Sequence, residues 1–120
     1  MTRILVVDDD DMTVRLLEYA FRQDGYEVHS VLDSLQAVSN ACSFQPHLII
    51  LDIMMPDKDG FQVCRELRAQ PTLKNTCIVF LTGVGGMTNQ LTAFEAGASA
   101  FMTKPIHSKE FRKKIRSLAG

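Results

Sequence analysis

Residues 48–60, Leu-Ile-Ile-Leu-Asp-Ile-Met-Met-Pro-Asp-Lys-Asp-Gly, constrain the fold more than any other stretch of the chain. The apolar run Leu48 to Leu51 leads straight into Asp52, and Pro56 and the Asp59-Gly60 pair then break the chain. A short apolar run bounded by turn signals reads as a strand buried on both faces, as in a parallel sheet. Asp52 therefore stands where a buried strand stops and a loop begins. In an open parallel sheet, ligands bind at that end of the strands. On this stretch alone, a loop-capping Asp52 fits as well as a ligand-binding one.

The same pattern recurs along the chain. Ile4 to Val7 is an apolar run that ends in Asp8, Asp9, Asp10 and Asp11. Helical spacing follows, with Val14, Leu17 and Phe21 on one stripe, Asp10 or Asp11 as the cap, and Gly25 as the stop. Tyr26 to Leu32 reads as a second strand. Asp33 or Ser34 opens a helix to Phe44 with Leu35, Val38 and Cys42 inward, and Pro46 precedes the central strand, His47 to Leu51. After Gly60 a helix runs to Ala69 with Phe61, Cys64 and Leu67 inward, and Pro71 and Asn75 mark a loop. Cys77 to Leu81 is a fourth strand ending in Thr82-Gly83. A helix from Met87 to Ala96 is closed by Gly97. Ala100-Phe101-Met102 is a short fifth strand ending at Thr103-Lys104-Pro105, and the last helix, Ser108 to Leu118, buries Phe111, Ile115 and Leu118. Strand and helix alternate throughout, which implies an α/β fold: a doubly wound, parallel, five-stranded (βα)5 sheet covered on both faces.

With 120 residues the chain is long enough for one domain, 1–120. A hydrophobic fraction of 46% supplies a core, and a net charge of −1 argues against direct nucleic-acid binding. No apolar run approaches the roughly 18 residues of a membrane span, and the N-terminus lacks a signal peptide's apolar core. Cys42, Cys64 and Cys77 show no metal-like spacing and read as reduced thiols, which fits a cytoplasmic protein. His29, His47 and His107 are scattered and read as structural. The glycines of Gly83-Val84-Gly85-Gly86 follow the fourth strand, so they are no dinucleotide fingerprint.

If the sheet is parallel, the residues just past the strands share one rim: Asp8 and Asp9, Asp52, Thr82 and Lys104. Three crowded carboxylates repel and hold raised pKa values unless a cation joins them. Hard oxygen ligands suit Mg²⁺. A metal, an ammonium and a hydroxyl around one carboxylate are what phosphoryl transfer to that carboxylate requires.

These pieces resemble the receiver domain of two-component response regulators, of the chemotaxis-regulator type with a flavodoxin-like fold. The matching segments are Val6-Val7-Asp8-Asp9, Asp52 to Pro56 with Gly60, Leu81-Thr82-Gly83, Ala96-Gly97-Ala98 and Lys104-Pro105, in order over essentially the whole chain. The resemblance implies the strand order 2-1-3-4-5 and makes Asp52 the phospho-acceptor. It places Mg²⁺ on Asp8, Asp9, Asp52 and the carbonyl of Met54, and puts Thr82 and Lys104 on the phosphoryl group. It also implies a cis Lys104–Pro105 bond and a rotamer change of Phe101 when Thr82 moves. The donor would be a histidine kinase or a phosphotransfer protein. The chain would be a switch that promotes its own phosphorylation and dephosphorylation without turning over an external substrate.

Two other readings compete. A Mg²⁺-dependent phosphohydrolase working through an aspartyl phosphate typically carries a second Asp two residues after the nucleophile, where this chain has Met54. An unphosphorylated interaction module would not need Asp9, Asp52, Thr82 and Lys104 all intact.

The chain also departs from the family pattern. Gly83 stands where Ala is usual, loosening the loop. Met54 and Val84 flank the phosphoryl site and are both apolar, so they should shield it from water. Ser99-Ala100 replaces an acidic pair. With Gly120 the last residue, the readout is expected to be a protein contact, an effector meeting the face of the fourth helix, fifth strand and fifth helix. That face lacks basic residues on Met87 to Ala96, so a charged reciprocal dimer is not expected, and the chain should be a monomer or weak dimer. Lys109, Arg112, Lys113, Lys114 and Arg116 make the last helix basic, as a solvated face or as a dock for an acidic partner.

Overall fold

The computed structural model describes residues 1–106 and 109–120. Five strands, β1 (Arg3–Val7), β2 (Glu27–Val31), β3 (Leu48–Leu51), β4 (Cys77–Thr82) and β5 (Ala100–Thr103), pair in parallel in the order β2-β1-β3-β4-β5. The helices are α1 (Asp11–Gln23), α2 (Ala37–Phe44), α3 (Gly60–Arg68), α4 (Met87–Glu95) and α5 (Lys109–Ala119), with short 3₁₀ turns at Ser34–Gln36 and Pro71–Leu73. The doubly wound flavodoxin-like order expected from the sequence is the one observed.

Strand side chains alternate between faces, and the two cores follow from that. Leu5, Val7, Ile49, Leu51, Ile78 and Phe80 point to one side, where α2, α3 and α4 cover them. Ile4, Val6, Leu48, Ile50, Val79 and Leu81 point to the other, under α1 and α5. All twelve are essentially inaccessible to water. That is why these strands read as unbroken apolar runs rather than as alternations.

The α2 region departs from the sequence reading. Leu35, expected inward, is 52% exposed, while Ser34, Ala37 and Ala41 are buried and Val38 and Cys42 are half-buried. The cause is local. Asp33 accepts the Leu35 N–H at 3.0 Å and starts a 3₁₀ turn, which rotates the frame of the following helix. Small residues then face the sheet. In α3, Val63 takes the buried position, and Phe61 is half-buried with its ring centroid 5.6 Å from that of Phe80. Leu118 packs half-buried beside the fully covered Phe111 and Ile115. The start expected at Ser108, and the structural reading of His107, lie outside the described residues. The three cysteines are free thiols, and Cys64 is wholly buried, which pushes its thiol up to about 11.

α3 is tied directly to the end of β3. Gly60 donates its N–H to the Ile53 carbonyl at 2.8 Å and lies against the backbone of Asp52. A Cβ added at Gly60 would sit 2.0 Å from the Asp52 carbonyl oxygen. Gly60→Ala should therefore destabilise the protein by about 3 kcal/mol, since backbone must move to admit the methyl. The matching fall in Tm is about 10 °C. A thermal melt within about 2 °C of wild type would show that the loop yields without strain.

Candidate functional site

β1 and β3 are neighbours with Val7 opposite Leu51, so the next residues, Asp8 and Asp52, emerge side by side. Both are anchored through the backbone: the Asp8 N–H donates to Val31 O at 3.2 Å and the Asp52 N–H to Val7 O at 3.1 Å. Both are buried, at 2% and 7% exposure, whereas Asp9 faces solvent. One carboxylate oxygen from each of Asp8, Asp9 and Asp52 lies within 4.8 Å of the others. From the far side, β5 delivers Lys104. Its N–H donates to the Thr82 carbonyl at 2.8 Å, and its peptide bond to Pro105 is cis.

Lys104 Nζ is 3.2 Å from Asp8 Oδ2 and 3.5 Å from Asp52 Oδ2, bridging the two buried carboxylates. The remaining oxygens are also occupied. Asp8 Oδ1 accepts the Asp10 N–H at 2.9 Å, and Asp52 Oδ1 accepts the Ile53 N–H at 2.8 Å. Thr82, with no exposed surface, accepts the Val84 N–H on its hydroxyl at 3.2 Å.

Electrostatics follow from this crowding. Burial pushes the Asp8 carboxyl up to about 6, and the Asp52 charge adds to the rise. The Asp10 N–H and the Lys104 ammonium pull it back only in part. Burial works against the Lys104 charge, but Asp8 and Asp52 outweigh it and its pKa is raised. Asp10, at the N-cap of α1, accepts the Thr13 hydroxyl at 2.6 Å, and that bond holds its carboxyl below the usual range. The resulting cluster is made of hard oxygens with more negative charge than one lysine neutralises, which is the donor set a divalent cation such as Mg²⁺ takes.

The structure thus gathers Asp8, Asp9, Asp52, Thr82 and Lys104 on one rim. Met54 and Val84 are nearby in sequence, with side chains 67% and 43% exposed. Phe101 is half-buried on β5, its ring stacked on Phe80 at 6.4 Å. His47 and His29 are structural, as expected: His47 Nδ1 accepts the Arg3 N–H, and His29 pairs with Asn40. Sequence reasoning missed Ser34, whose hydroxyl donates to the Pro56 carbonyl at 2.7 Å across the loop after β3. It also missed Gly60 as the close-contact point. Ser34 carries no signal beyond that of an ordinary cap residue, and Gly60, a turn residue within the family-like segment, carries none for its contact with the Asp52 backbone.

The raised Asp8 pKa sets a pH dependence. The folded state holds the proton more tightly than the unfolded chain, whose value is near 3.8, so stability rises as pH falls through about 6 and levels off near 4. The gain is at most about 3 kcal/mol for the metal-free protein. Asp8→Asn keeps the acceptor oxygen, so it should flatten this profile and stabilise the metal-free protein at pH 8 by about 1–3 kcal/mol. Urea melts across this pH range check it, and an unchanged slope in the variant would take the effect away from Asp8.

The sequence profile of the response regulator receiver domain matches residues 4–116. Among curated proteins, the chain is 42% identical over 116 residues to the response regulator PleD of Caulobacter vibrioides, covering 97% of this chain and 26% of PleD. It is 34% identical over 118 residues to the DNA-binding dual master transcriptional regulator RpaA of Synechocystis, covering 98% of this chain and 49% of RpaA. It thus spans between about a quarter and a half of these relatives' length. Among solved structures, the chemotaxis protein CheY4 of Vibrio cholerae superposes with a TM-score of 0.93 at 26% identity, covering 98% of both chains. The fold, the rim of acids and the profile match converge, and the chain belongs to the response regulator receiver domain family of two-component systems.

Proposed function

We propose that this receiver is a phosphorylation-dependent switch in which Asp52 accepts a phosphoryl group from a histidine kinase or a histidine phosphotransfer protein. The observation that carries the reading is the placement of the Asp52 carboxylate. Oδ1 is held by the Ile53 N–H, and Oδ2 is left facing the Lys104 ammonium at 3.5 Å. Asp52 attacks phosphorus through such an oxygen, the bond from phosphorus to the donor's imidazole nitrogen breaks, and the imidazole leaves with its electron pair. Lys104 then has transferred oxygens to neutralise in place of carboxylates, and the Thr82 hydroxyl would turn to donate to one of them.

Asp8, Asp9, Asp52 and the Met54 carbonyl would hold Mg²⁺, in keeping with their hard oxygens and with the charge that Lys104 leaves unbalanced. When bound, the ion neutralises the carboxylates and the charge on the transferred oxygens. A phosphohydrolase reading finds no support at Met54, whose exposed thioether has no proton to give a leaving group. The apolar Met54 and Val84 should instead shield the phosphoryl group from water.

Receiver domains act through protein contacts, and the switch reaches the surface along β4 and β5. Thr82 is joined to Lys104 through the backbone, and Phe101 lines a groove of about 440 Å³ between α4 and α5. When Thr82 turns toward the phosphoryl group it gives up Val84, and the Phe101 ring moves into the space. The partner-binding face of α4, β5 and α5 then changes shape.

Incubation with acetyl phosphate and Mg²⁺ should add one phosphoryl group by intact mass to the wild type and none to Asp52→Asn, which keeps the fold. Modification of Asp52→Asn at the wild-type rate would sink the assignment. Thr82→Ala should still be phosphorylated, but in the presence of beryllofluoride its Phe101 ring signals in NMR should stay at their resting positions. A full wild-type shift of those signals would break the coupling of Thr82 to Phe101.

A further inference from the structure

The loop between β3 and α3 carries Asp52 at its start and Met54 two residues on. Near its middle, Lys58 donates its N–H to the Pro56 carbonyl at 2.8 Å, closing a three-residue turn around Asp57. Asp57 has φ +71°, a left-handed conformation that is strained in such a turn and persists only where the surroundings impose it. Met54 is exposed, so side-chain packing does not hold its peptide in place. The Lys58–Glu66 ion pair at 2.6 Å is partly exposed and so contributes little.

Ser34 supplies the missing restraint from a different part of the chain. Its hydroxyl donates to the Pro56 carbonyl at 2.7 Å and accepts the Lys58 N–H at 3.2 Å. Both ends of the strained turn therefore meet on one hydroxyl, which is 4% exposed. Ser34 is not needed to cap its own element, because Asp33 already accepts the Leu35 N–H there. The donor and acceptor roles of the hydroxyl are both directed at the loop. At the loop's far end, the Gly60 N–H bond to Ile53 O fixes the second boundary.

We infer that Ser34 is a positioning residue for the Mg²⁺ site: its hydroxyl locks the Pro56–Lys58 turn and thereby fixes the loop segment that presents the Met54 carbonyl beside Asp52. This rests on the metal assignment made above. Ser34 touches neither metal nor phosphoryl group. It acts by removing alternative conformations of the loop, as groups beyond the direct ligands do in metal sites.

The test is a calorimetric Mg²⁺ titration without any phosphoryl donor, on wild type, Ser34→Ala, Asp57→Gly and the double variant. Ser34→Ala should raise the Kd for Mg²⁺ roughly tenfold. Glycine adopts φ +71° without strain, so the turn holds itself in Asp57→Gly. On that background, which also controls for the lost charge, the same serine change should weaken binding less than about threefold. Amide exchange at Lys58 should quicken in Ser34→Ala. If that variant does not fold, Ser34→Cys, nearly isosteric and a weaker hydrogen-bonding group, replaces it. Equal Mg²⁺ affinity in wild type and Ser34→Ala overturns the role of Ser34 and leaves the metal site standing. So does an undiminished loss on the glycine background, the mark of a general effect of a lost buried hydroxyl. A wild type that binds no Mg²⁺ overturns the metal assignment and this role of Ser34 together.

Discussion

Three carboxylates and one ammonium share a single rim because parallel pairing leaves them no choice. With Val7 opposite Leu51, the residues that follow are set about one strand spacing apart, near 4.8 Å. A hydrophobic core with essentially no exposed surface lies directly beneath, so neither Asp8 nor Asp52 can retreat into it. The same burial that packs the sheet therefore raises the Asp8 carboxyl to about 6. Lys104 offsets part of that repulsion by bridging the two buried acids at 3.2 and 3.5 Å. The metal-free protein thus holds an electrostatic tension at its rim, and more positive charge relieves it.

In the proposed switch, that tension is what a phosphoryl group on Asp52 would act on. Lys104 is committed to carboxylates in the resting arrangement, and its backbone N–H is committed to the Thr82 carbonyl. A change in the charge on Asp52 would then alter the first interaction and be carried through the second to β4. Thr82 in turn accepts, on its hydroxyl, the N–H of Val84 in the loop before α4. A short chain of three contacts thus runs from the acid cluster to the root of α4. Stacking of Phe80 on Phe101 links the same pair of strands on the side of α3 and α4.

Most of the architecture was legible in the sequence for a physical reason. Strands buried on both faces must be apolar throughout, so they stand out as runs, and the polar residue that ends each run marks the rim. Asp8, Asp52 and Thr82 stand out that way, whereas Lys104 follows a short, partly exposed strand and is marked by the Pro105 beside it. A parallel sheet puts all four on one rim, and the resemblance supplies the strand order. The first turn of the α2 region was not legible. A 3₁₀ turn begun by Asp33 shifts the helical frame, so the periodicity that pointed Leu35 inward was counted from the wrong start. The contacts of Ser34 and Gly60 were not legible either. Their roles are contacts with backbone atoms of Pro56, Lys58 and Asp52, and a carbonyl oxygen has no letter in a sequence.

The two ends of α4 are held very differently. At the C-terminal end, Arg68 of α3 donates to the Gly97 carbonyl at 2.8 Å, to the Thr76 carbonyl at 2.6 Å and to the Ser99 hydroxyl at 3.2 Å. Gly97 has φ +109°, and a Cβ there would lie 2.7 Å from the Arg68 side chain, so this corner is closed around the guanidinium. Ser99 is used inward as well, its hydroxyl accepting the Ile78 N–H at 3.1 Å. At the N-terminal end the exposed residues Gly83 to Gly86 lead in, and Gly86 offers no side-chain cap. Exposed Met87, Leu91 and Phe94 leave α4 with few buried contacts beyond Ala93. In the proposed switch, an element pinned at one end and looser at the other would pivot, so a displacement starting at Thr82 would be greatest at Met87 and least at Ala96. The apolar side chains that such a pivot would reorient lie on α4 itself, while the cations of α5 stay on a helix whose Phe111 and Ile115 are locked into the opposite core.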